Sequence, residues 1–254
     1  MLKKDCLGHN IIIKKVLTFI VSVASYSRFA RINKLTIEGT ENLKGLPLKN
    51  VLFVSNHQTY FADVMAIGHI ISSTKSGHSN SIKNPFYLLR PISNLYYIAA
   101  EETMKAGWLP KLFAYLGSVS IKRTFREAGQ DINRKVNFQD ISNIGLALND
   151  GWVITFPQGT TKAFAPGRRG TSHIIKKYQP IVVPVVINGF RRAFDKKGLV
   201  LKKRGVNLSV KFKAPLEIDY SSNSDALLKK VMFSIEQSEE FQKFKEPPAD
   251  KSLN

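Results

Sequence analysis

The feature that most constrains the fold is a short apolar run, Val51-Leu52-Phe53-Val54, which leads directly into a polar turn containing Asn56 and His57. An uninterrupted apolar run of this length is typical of a strand that is covered on both faces of a sheet. In open α/β sheets, reactive groups gather just beyond the carboxyl ends of such strands. The run therefore predicts a buried strand that carries His57 at its end, with Asp63 as the nearest downstream carboxylate.

Strand-like and helix-like segments alternate from Leu35 to Phe212. That alternation predicts one α/β domain with a mostly parallel sheet flanked by helices. We place this domain at residues 34–245, after an N-terminal amphipathic helical segment (1–33) and before a flexible tail (246–254).

Four local expectations follow from the same patterns. They are a helix from Asp131 to Asn149, an edge strand from Val206 to Phe212, an exposed basic segment from Arg191 to Arg204, and Thr59 as the cap of the helix after the His57 turn.

The N-terminal segment from Ile11 to Ala24 is apolar but is interrupted by Lys14 and Lys15. A membrane-crossing helix needs about 20 mostly apolar residues, so this segment is too short to span. An apolar face edged by basic residues is typical of a helix that lies in a membrane interface. The alternative is an ordinary amphipathic helix that packs on the domain.

The charge of the chain implies an anionic partner. The 38 Lys and Arg residues against 19 Asp and Glu residues give a formal net charge of +19, far more than solubility requires. An anionic membrane surface and an acidic carrier protein both fit. The alternative is that the charge serves only the general solvation of the surface. Nucleic acid is not expected as a partner, because the basic residues form no recognisable nucleic-acid-binding motif. The single cysteine, Cys6, cannot form an internal disulfide, which indicates a reducing compartment.

Polar groups at three strand ends predict a reactive site: His57, Arg123, and the turn from Gln158 to Thr161. A histidine can act as a general base near neutral pH, which is typically worth about 10² to 10⁴ in rate, if a partner such as Asp63 fixes its tautomer. A structural role for His57, as a cap of the following helix, is the alternative. The chain contains no Gly-x-Ser-x-Gly elbow and no glycine-rich phosphate loop.

Four blocks occur in order between Asn56 and Gly189, over half of the chain. They are Ser55 to Asp63, Met104 to Arg123, Phe156 to Thr161, and Pro180 to Gly189. Through these blocks the chain resembles the glycerophospholipid acyltransferases, the group that contains the 1-acylglycerol-3-phosphate acyltransferases. That family has Asn-His followed by Asp in the first block, a closing arginine in the second, and Phe-Pro-Glu-Gly-Thr-Arg in the third.

The resemblance implies acyl transfer from acyl-CoA or acyl-ACP to a hydroxyl of a lyso-lipid acceptor, at the cytoplasmic face of the cell membrane, by a peripheral or monotopic protein. It implies no metal and no cofactor beyond the acyl thioester co-substrate. His57 would be the general base, and Asp63 would orient it. The residues that the resemblance assigns to substrate binding are Asn56, Lys122, Arg123, Gln158, Gly159, Thr160 and Thr161.

Two positions depart from the family pattern. Five residues separate His57 from Asp63 where the family has four, and on a continuous helix the extra residue would rotate Asp63 by about 100°. The pairing therefore requires His57 to lie on a loop or next to a bulge.

Gln158 and Thr161 replace the family's Glu and Arg, which removes a cation that would hold a phosphate. Either Lys162, Arg168 or Arg169 takes its place, or the acceptor is not a phosphate monoester but, for example, an amino-acid lipid or another lyso-lipid. In both cases we expect an acceptor preference that differs from that of standard lysophosphatidate acyltransferases. A catalytically inactive lipid-binding relative is the second hypothesis.

Overall fold

A seven-stranded sheet forms the centre of the computed structural model, which describes residues 3–105, 107–122, 126–127, 130–131 and 138–245. In sequence order its strands are β1 (Lys34–Glu38), β2 (Val51–Ser55), β3 (Leu95–Ala100), β4 (Ser118–Ile121), β7 (Trp152–Thr155), β8 (Ile181–Asn188) and β9 (Asn207–Phe212). A separate two-stranded ribbon contains β5 (Arg126–Glu127) and β6 (Gln130–Asp131).

The order across the sheet is β1-β9-β8-β2-β7-β3-β4, and β2 pairs in parallel with both β7 and β8. Among these neighbours, β8 and β9 form the one antiparallel pair in the described sheet. The predicted α/β fold with a mostly parallel sheet is therefore confirmed.

Helices cover both faces of the sheet. They are α1 (Ile11–Ala30), α2 (Ala62–Lys75), α3 (Glu101–Lys105), α4 (Trp108–Tyr115), α5 (Phe138–Asp150), α6 (Arg169–Tyr178), α7 (Phe190–Ala193), α8 (Ser224–Ser234) and α9 (Glu239–Lys245). Two short 3-10 helices, Thr40–Leu43 and Pro85–Leu89, lie in the connections.

All five residues of β2 are buried, as its apolar sequence predicts. Val51 and Phe53 belong to the cluster that α1 and α2 cover, whereas Leu52 and Val54 belong to the cluster formed with α5, α6 and α8. Since successive side chains of a strand point to opposite faces, only a strand with both faces covered buries every residue in this way. This fixes β2, and the turn that follows it, firmly at the centre of the molecule.

Two local expectations are wrong. The segment Val206 to Phe212 is an interior strand, because β1 pairs with its outer side along five residue pairs. Its alternating pattern arises because its buried side chains are Leu208, Val210 and Phe212, whereas the residues between them are exposed or half-buried. The helix expected from Asp131 to Asn149 does not include Asp131, which pairs with Arg126 in the small ribbon; α5 is described from Phe138 to Asp150, and residues 132–137 lie outside the described part of the chain.

Helix α1 has one packed face and one exposed apolar face. On the packed face, Phe29 is fully buried, and the ammonium group of buried Lys14 lies 2.7 Å from a carboxylate oxygen of Asp5. The exposed apolar residues of the helix recur at helical spacing: Ile12, Ile13, Val16, Phe19, Ile20 and Val23. None of the helices in the described part of the chain combines the length and the apolar composition needed to cross a membrane.

Candidate active site

Three polar turns meet at one edge of the sheet, because β7, β2 and β8 are adjacent and run in the same direction. The His57 turn follows β2, the turn from Phe156 to Thr161 follows β7, and the segment that begins at Gly189 follows β8. Carboxyl ends of neighbouring parallel strands are where α/β proteins place their reactive groups. The structure thus brings together two of the three strand ends that the sequence analysis selected, and adds a third.

The imidazole of His57 is paired with the carboxylate of Asp63. Nδ1 of His57 lies 2.9 Å from Oδ2 of Asp63, whose side chain is fully buried, whereas 13% of the His57 side chain is exposed. A carboxylate can only accept, so the proton of the neutral imidazole resides on Nδ1. Nε2 of His57 then carries a lone pair and can accept a proton from a bound hydroxyl group.

Asp63 is held by a dense set of donors. Its Oδ2 accepts the backbone N–H groups of Gln58 at 2.6 Å and Thr59 at 3.0 Å, and its Oδ1 accepts the hydroxyl of Thr59 at 2.7 Å. Burying a carboxylate is costly unless it is hydrogen-bonded in this way. The donors therefore allow a negative charge to stay next to His57 inside the protein.

A loop absorbs the extra residue between His57 and Asp63. Strand β2 ends at Ser55 and α2 begins at Ala62, so His57 lies outside the helix and Asp63 lies in its first turn. The rotation expected on a continuous helix does not occur, and the predicted pairing is present. The expectation for Thr59 is wrong: the residue at the cap position is Phe61, and the hydroxyl of Thr59 serves Asp63 instead.

Asn56 ties the His57 turn to the neighbouring strand. Its side-chain amide donates to the carbonyl of Ile187 at 2.9 Å, and its side-chain oxygen accepts the N–H of Ile187 at 2.8 Å. Gln58 donates to the same carbonyl at 3.2 Å. These bonds continue the pairing of β2 and β8 beyond the end of the strand, so the structure gives Asn56 a positioning contact. Its predicted contact with substrate stays a prediction.

The ring of Phe156 stacks on the imidazole of His57, with centroids 3.8 Å apart and an angle of 19° between the planes. Phe156 is the first residue after β7, so the register of β2 and β7 brings the two rings together. The sequence analysis included Phe156 in the third block but did not assign it a role. The stack holds the plane of the His57 imidazole, and the hydrogen bond to Asp63 fixes which ring atom points into the site.

In the turn after Phe156, three of the predicted substrate-binding residues are half-buried and the fourth, Gln158, is buried. Gly159 has φ of 63°, in the left-handed region that favours glycine, and its N–H donates to the carbonyl of Phe156 at 2.9 Å. Thr160 and Thr161 are half-buried. Gln158 is only 1% exposed.

The buried side chain of Gln158 faces the C-terminal part of the chain. Its Nε2 donates to the carbonyl of Ala165 at 2.9 Å and to the side-chain oxygen of Gln237 at 3.3 Å. The substitution of Gln for the family's Glu therefore places a neutral amide where a carboxylate would face another side-chain oxygen.

Arg191 is a site residue that the sequence analysis missed. It lies in α7, and its guanidinium donates from Nη2 to the carbonyl of His57 at 3.3 Å and to the carbonyl of Thr161. The expectation of an exposed basic segment is therefore wrong at this residue, which is half-buried. Its position two residues after Gly189, past the end of a strand that neighbours β2, was the signal that could have identified it.

The second block lies further from His57. Lys122 is exposed at the end of β4, and its N–H donates to Asp140 at 2.8 Å. Two strands, β7 and β3, separate β4 from β2, so three strand spacings of about 4.8 Å put Lys122 on a distant part of the same edge. Arg123, the closing arginine of the block, lies outside the described residues.

A family model described as Acyltransferase matches residues 34–188, which is more than half of the chain. The chain belongs to the acyltransferase family. The resemblance carried by the four blocks is therefore confirmed at the level of this family, and the acyltransferase match covers the His57 turn, Asp63 and the turn after β7.

Among solved structures, this acyltransferase is similar to the 1-acyl-sn-glycerophosphate (LPA) acyltransferase PlsC from Thermotoga maritima, with a TM-score of 0.52 and 17% sequence identity. The likeness covers 93% of this chain and 80% of that chain. At this identity the likeness shows a shared fold. A comparison with curated proteins found no match.

Proposed function

We propose that this acyltransferase moves a fatty acyl group from acyl-CoA or acyl-ACP to a hydroxyl of a lysophospholipid or a related lipid precursor, with His57 as the general base. The observation that supports this most directly is the contact of His57 Nδ1 with the buried carboxylate of Asp63 at 2.9 Å. A histidine that merely capped a helix would need neither a buried carboxylate nor the three further donors that hold it.

The proposed reaction needs only groups that this site supplies. Nε2 of His57 takes the proton as the acceptor hydroxyl attacks the thioester carbonyl, and the resulting imidazolium is stabilised by Asp63. The tetrahedral intermediate then collapses, the C–S bond breaks, and the imidazolium returns its proton to the leaving thiolate. This sequence is balanced and requires no covalent enzyme intermediate.

The acceptor is the finer part of the proposal. Thr161 lacks the cationic side chain that the family pattern has there, so we expect lysophosphatidate not to be the best acceptor. An amino-acid lipid that carries a free hydroxyl is the alternative acceptor class. A comparison of cell lipids with and without the protein would report the acceptor and the acyl group together.

Transfer assays on two histidine variants test the catalytic assignment. We expect His57→Ala to lower transfer from oleoyl-CoA by about 10² to 10⁴, the usual range for a general base. His173→Ala is the matched control, because His173 is an exposed histidine on α6. Full activity in His57→Ala would contradict the mechanism. Lyso-lipid binding with no transfer by the wild-type protein would favour the inactive-relative hypothesis.

We also propose that the exposed apolar face of α1 binds an anionic membrane surface. Exposed apolar side chains also occur on two segments that neighbour α1: Phe86 and Leu89 on one, and Trp108 on the other. The 3-10 helix Pro85–Leu89 packs near α1, and Tyr115 of α4 accepts a hydrogen bond from Asn10 at the start of α1. Exposed cations flank these segments, namely Lys15, Lys83, Arg90, Lys105 and Lys111.

Charge and apolar area would act together at such a surface, because each basic residue near an anionic leaflet contributes roughly 1 kcal/mol. Since acyl-CoA and acyl-ACP are made inside the cell, the cytoplasmic face is the expected location. We expect the double variant Val16→Gln, Ile20→Gln to lose binding to phosphatidylglycerol vesicles in a sedimentation assay. Leu48→Gln removes an exposed leucine elsewhere and should bind like wild type. Unchanged binding of the double variant would refute the assignment of this face.

A further inference from the structure

The guanidinium of Arg191 lies between the two turns that form the candidate active site. Within the described part of the chain, its hydrogen bonds involve Nη2 alone, which donates to the carbonyls of His57 and Thr161. An arginine side chain has five N–H donors. Two are used by these carbonyls, so the three donors on Nη1 and Nε are available to a ligand.

The backbone around Arg191 is fixed as firmly as its side chain. Its own N–H donates to the side-chain oxygen of Gln58 at 3.3 Å, and Gln58 also bonds to the carbonyl of Ile187. Gly189 has φ of 87°, and a Cβ there would lie 2.3 Å from the carbonyl oxygen of Asn207. The chain can therefore leave β8 and enter α7 in this geometry only with a glycine at that position.

The electrostatics of the site require a cation if the acceptor is anionic. The fully buried carboxylate of Asp63 would repel a phosphate or carboxylate that approached His57. Arg191 offsets this charge: burial lowers the pKa of its guanidinium, whereas the nearby Asp63 carboxylate raises it. An arginine stays protonated at physiological pH under such conditions, and its planar fork matches two oxygens of a phosphate or carboxylate.

We propose that Arg191 binds the anionic group of the acyl acceptor and so determines which hydroxyl reaches His57. This rests on the proposed acyl transfer and adds the chemical class of its acceptor: a lipid with a free hydroxyl and a nearby phosphate or carboxylate. Arg191 then supplies a positive charge from α7, at a different place from the cation that position 161 lacks, which is consistent with a preference for an acceptor other than lysophosphatidate.

Three acceptors that share a hydroxyl test the assignment: a short-chain lysophosphatidate, N-(3-hydroxydecanoyl)glycine and uncharged monodecanoylglycerol. Transfer from oleoyl-CoA is measured for wild type, Arg191→Gln and Arg191→Lys. We expect Arg191→Gln to raise the acceptor KM by about 10- to 100-fold for the anionic acceptor that wild type prefers, the range expected for a lost charge-assisted hydrogen bond. The KM for oleoyl-CoA and for monodecanoylglycerol should change little.

The acceptor KM of Arg191→Lys should lie between those of wild type and Arg191→Gln, because lysine keeps the positive charge but lacks the planar guanidinium. The preferred acceptor distinguishes a phosphate ligand from a carboxylate ligand. Arg192→Gln is the matched control. Arg192 is the next residue of α7 and is exposed, so this substitution removes the same charge from the same helix. Thermal unfolding of each variant checks that the fold is intact.

Two kinetic results would overturn the assignment. One is an equal loss with charged and uncharged acceptors, which would mean that Arg191 only holds the two turns together. The other is an equal effect of Arg192→Gln, which would mean that the net charge of the helix is responsible.

Direct calorimetry of the two anionic probes separates this inference from the proposed function. If wild type transfers to none of the three acceptors, the proposed function fails. Weaker binding of an anionic probe to Arg191→Gln than to wild type would still support Arg191 as an anion-binding residue. A wild-type protein that binds neither anionic probe would overturn the assignment.

Discussion

The substitution Asp63→Asn isolates the contribution of one buried charge to the proposed chemistry. The side chain of Asn has almost the same shape, and its amide oxygen can take the place of Oδ2, which accepts from His57, Gln58 and Thr59. The amide nitrogen then faces the hydroxyl of Thr59, which can reverse its role and accept. The turn should therefore keep its geometry while the negative charge is lost.

The expected magnitude follows from the distance. With about 4 Å between charge centres and an effective dielectric constant of about 20, a carboxylate stabilises an adjacent imidazolium by roughly 4 kcal/mol. Because 1.36 kcal/mol corresponds to a factor of ten in rate, kcat should fall by about 10³. The KM of an uncharged acceptor should change little, since the charge acts on the transition state, whereas the KM of an anionic acceptor should fall because the repulsion by Asp63 is removed.

Stopped-time transfer assays with oleoyl-CoA, run at saturating acceptor, measure this drop directly. Thr59→Ser is a suitable control, since it keeps the hydroxyl that donates to Oδ1 of Asp63. A kcat for Asp63→Asn within threefold of wild type, in a protein of unchanged thermal stability, would remove Asp63 from the mechanism.

Two further predictions concern stability. Burial lowers the pKa of His69 to about 4, so between pH 6.5 and 4 the unfolded chain binds a proton that the folded protein does not. The free energy of unfolding should therefore fall by about 3 kcal/mol in total as the pH decreases through this window. Urea titrations should show a smaller decrease for His69→Gln. An equal decrease would show that protonation of His69 is not its cause. Gly189→Ala should lower the free energy of unfolding by more than Gly205→Ala, because both glycines have positive φ but only a Cβ at Gly189 meets a backbone oxygen. An equal loss of stability in the two variants, measured by thermal unfolding, would show that the backbone moves away from Asn207 at no cost in free energy.

The central strand and the histidine at its end could be predicted because both depend on local pattern. An apolar run such as Val51 to Val54 is buried in almost any α/β sheet, and the residues after it lie at the edge where ligands bind. The order of strands is a different kind of information. The segment Val206 to Phe212 alternates like an edge strand, but its place in the interior depends on pairing with Lys34–Glu38, some 170 positions earlier.

The same distinction explains why the pairing of His57 with Asp63 was predicted with a condition and Arg191 was not predicted at all. Counting residues between His57 and Asp63 shows only that a helix cannot connect them, and the loop from 56 to 61 resolves the conflict once β2 is known to end at Ser55. Arg191 is one of many basic residues in its part of the chain, and charge alone does not distinguish it. Its role follows from sheet order, because β8 lies next to β2 and Gly189 turns the chain toward the His57 turn. A residue that reaches the site from a neighbouring strand is therefore the hardest to identify from the sequence, because its place depends on the order of the strands in the sheet.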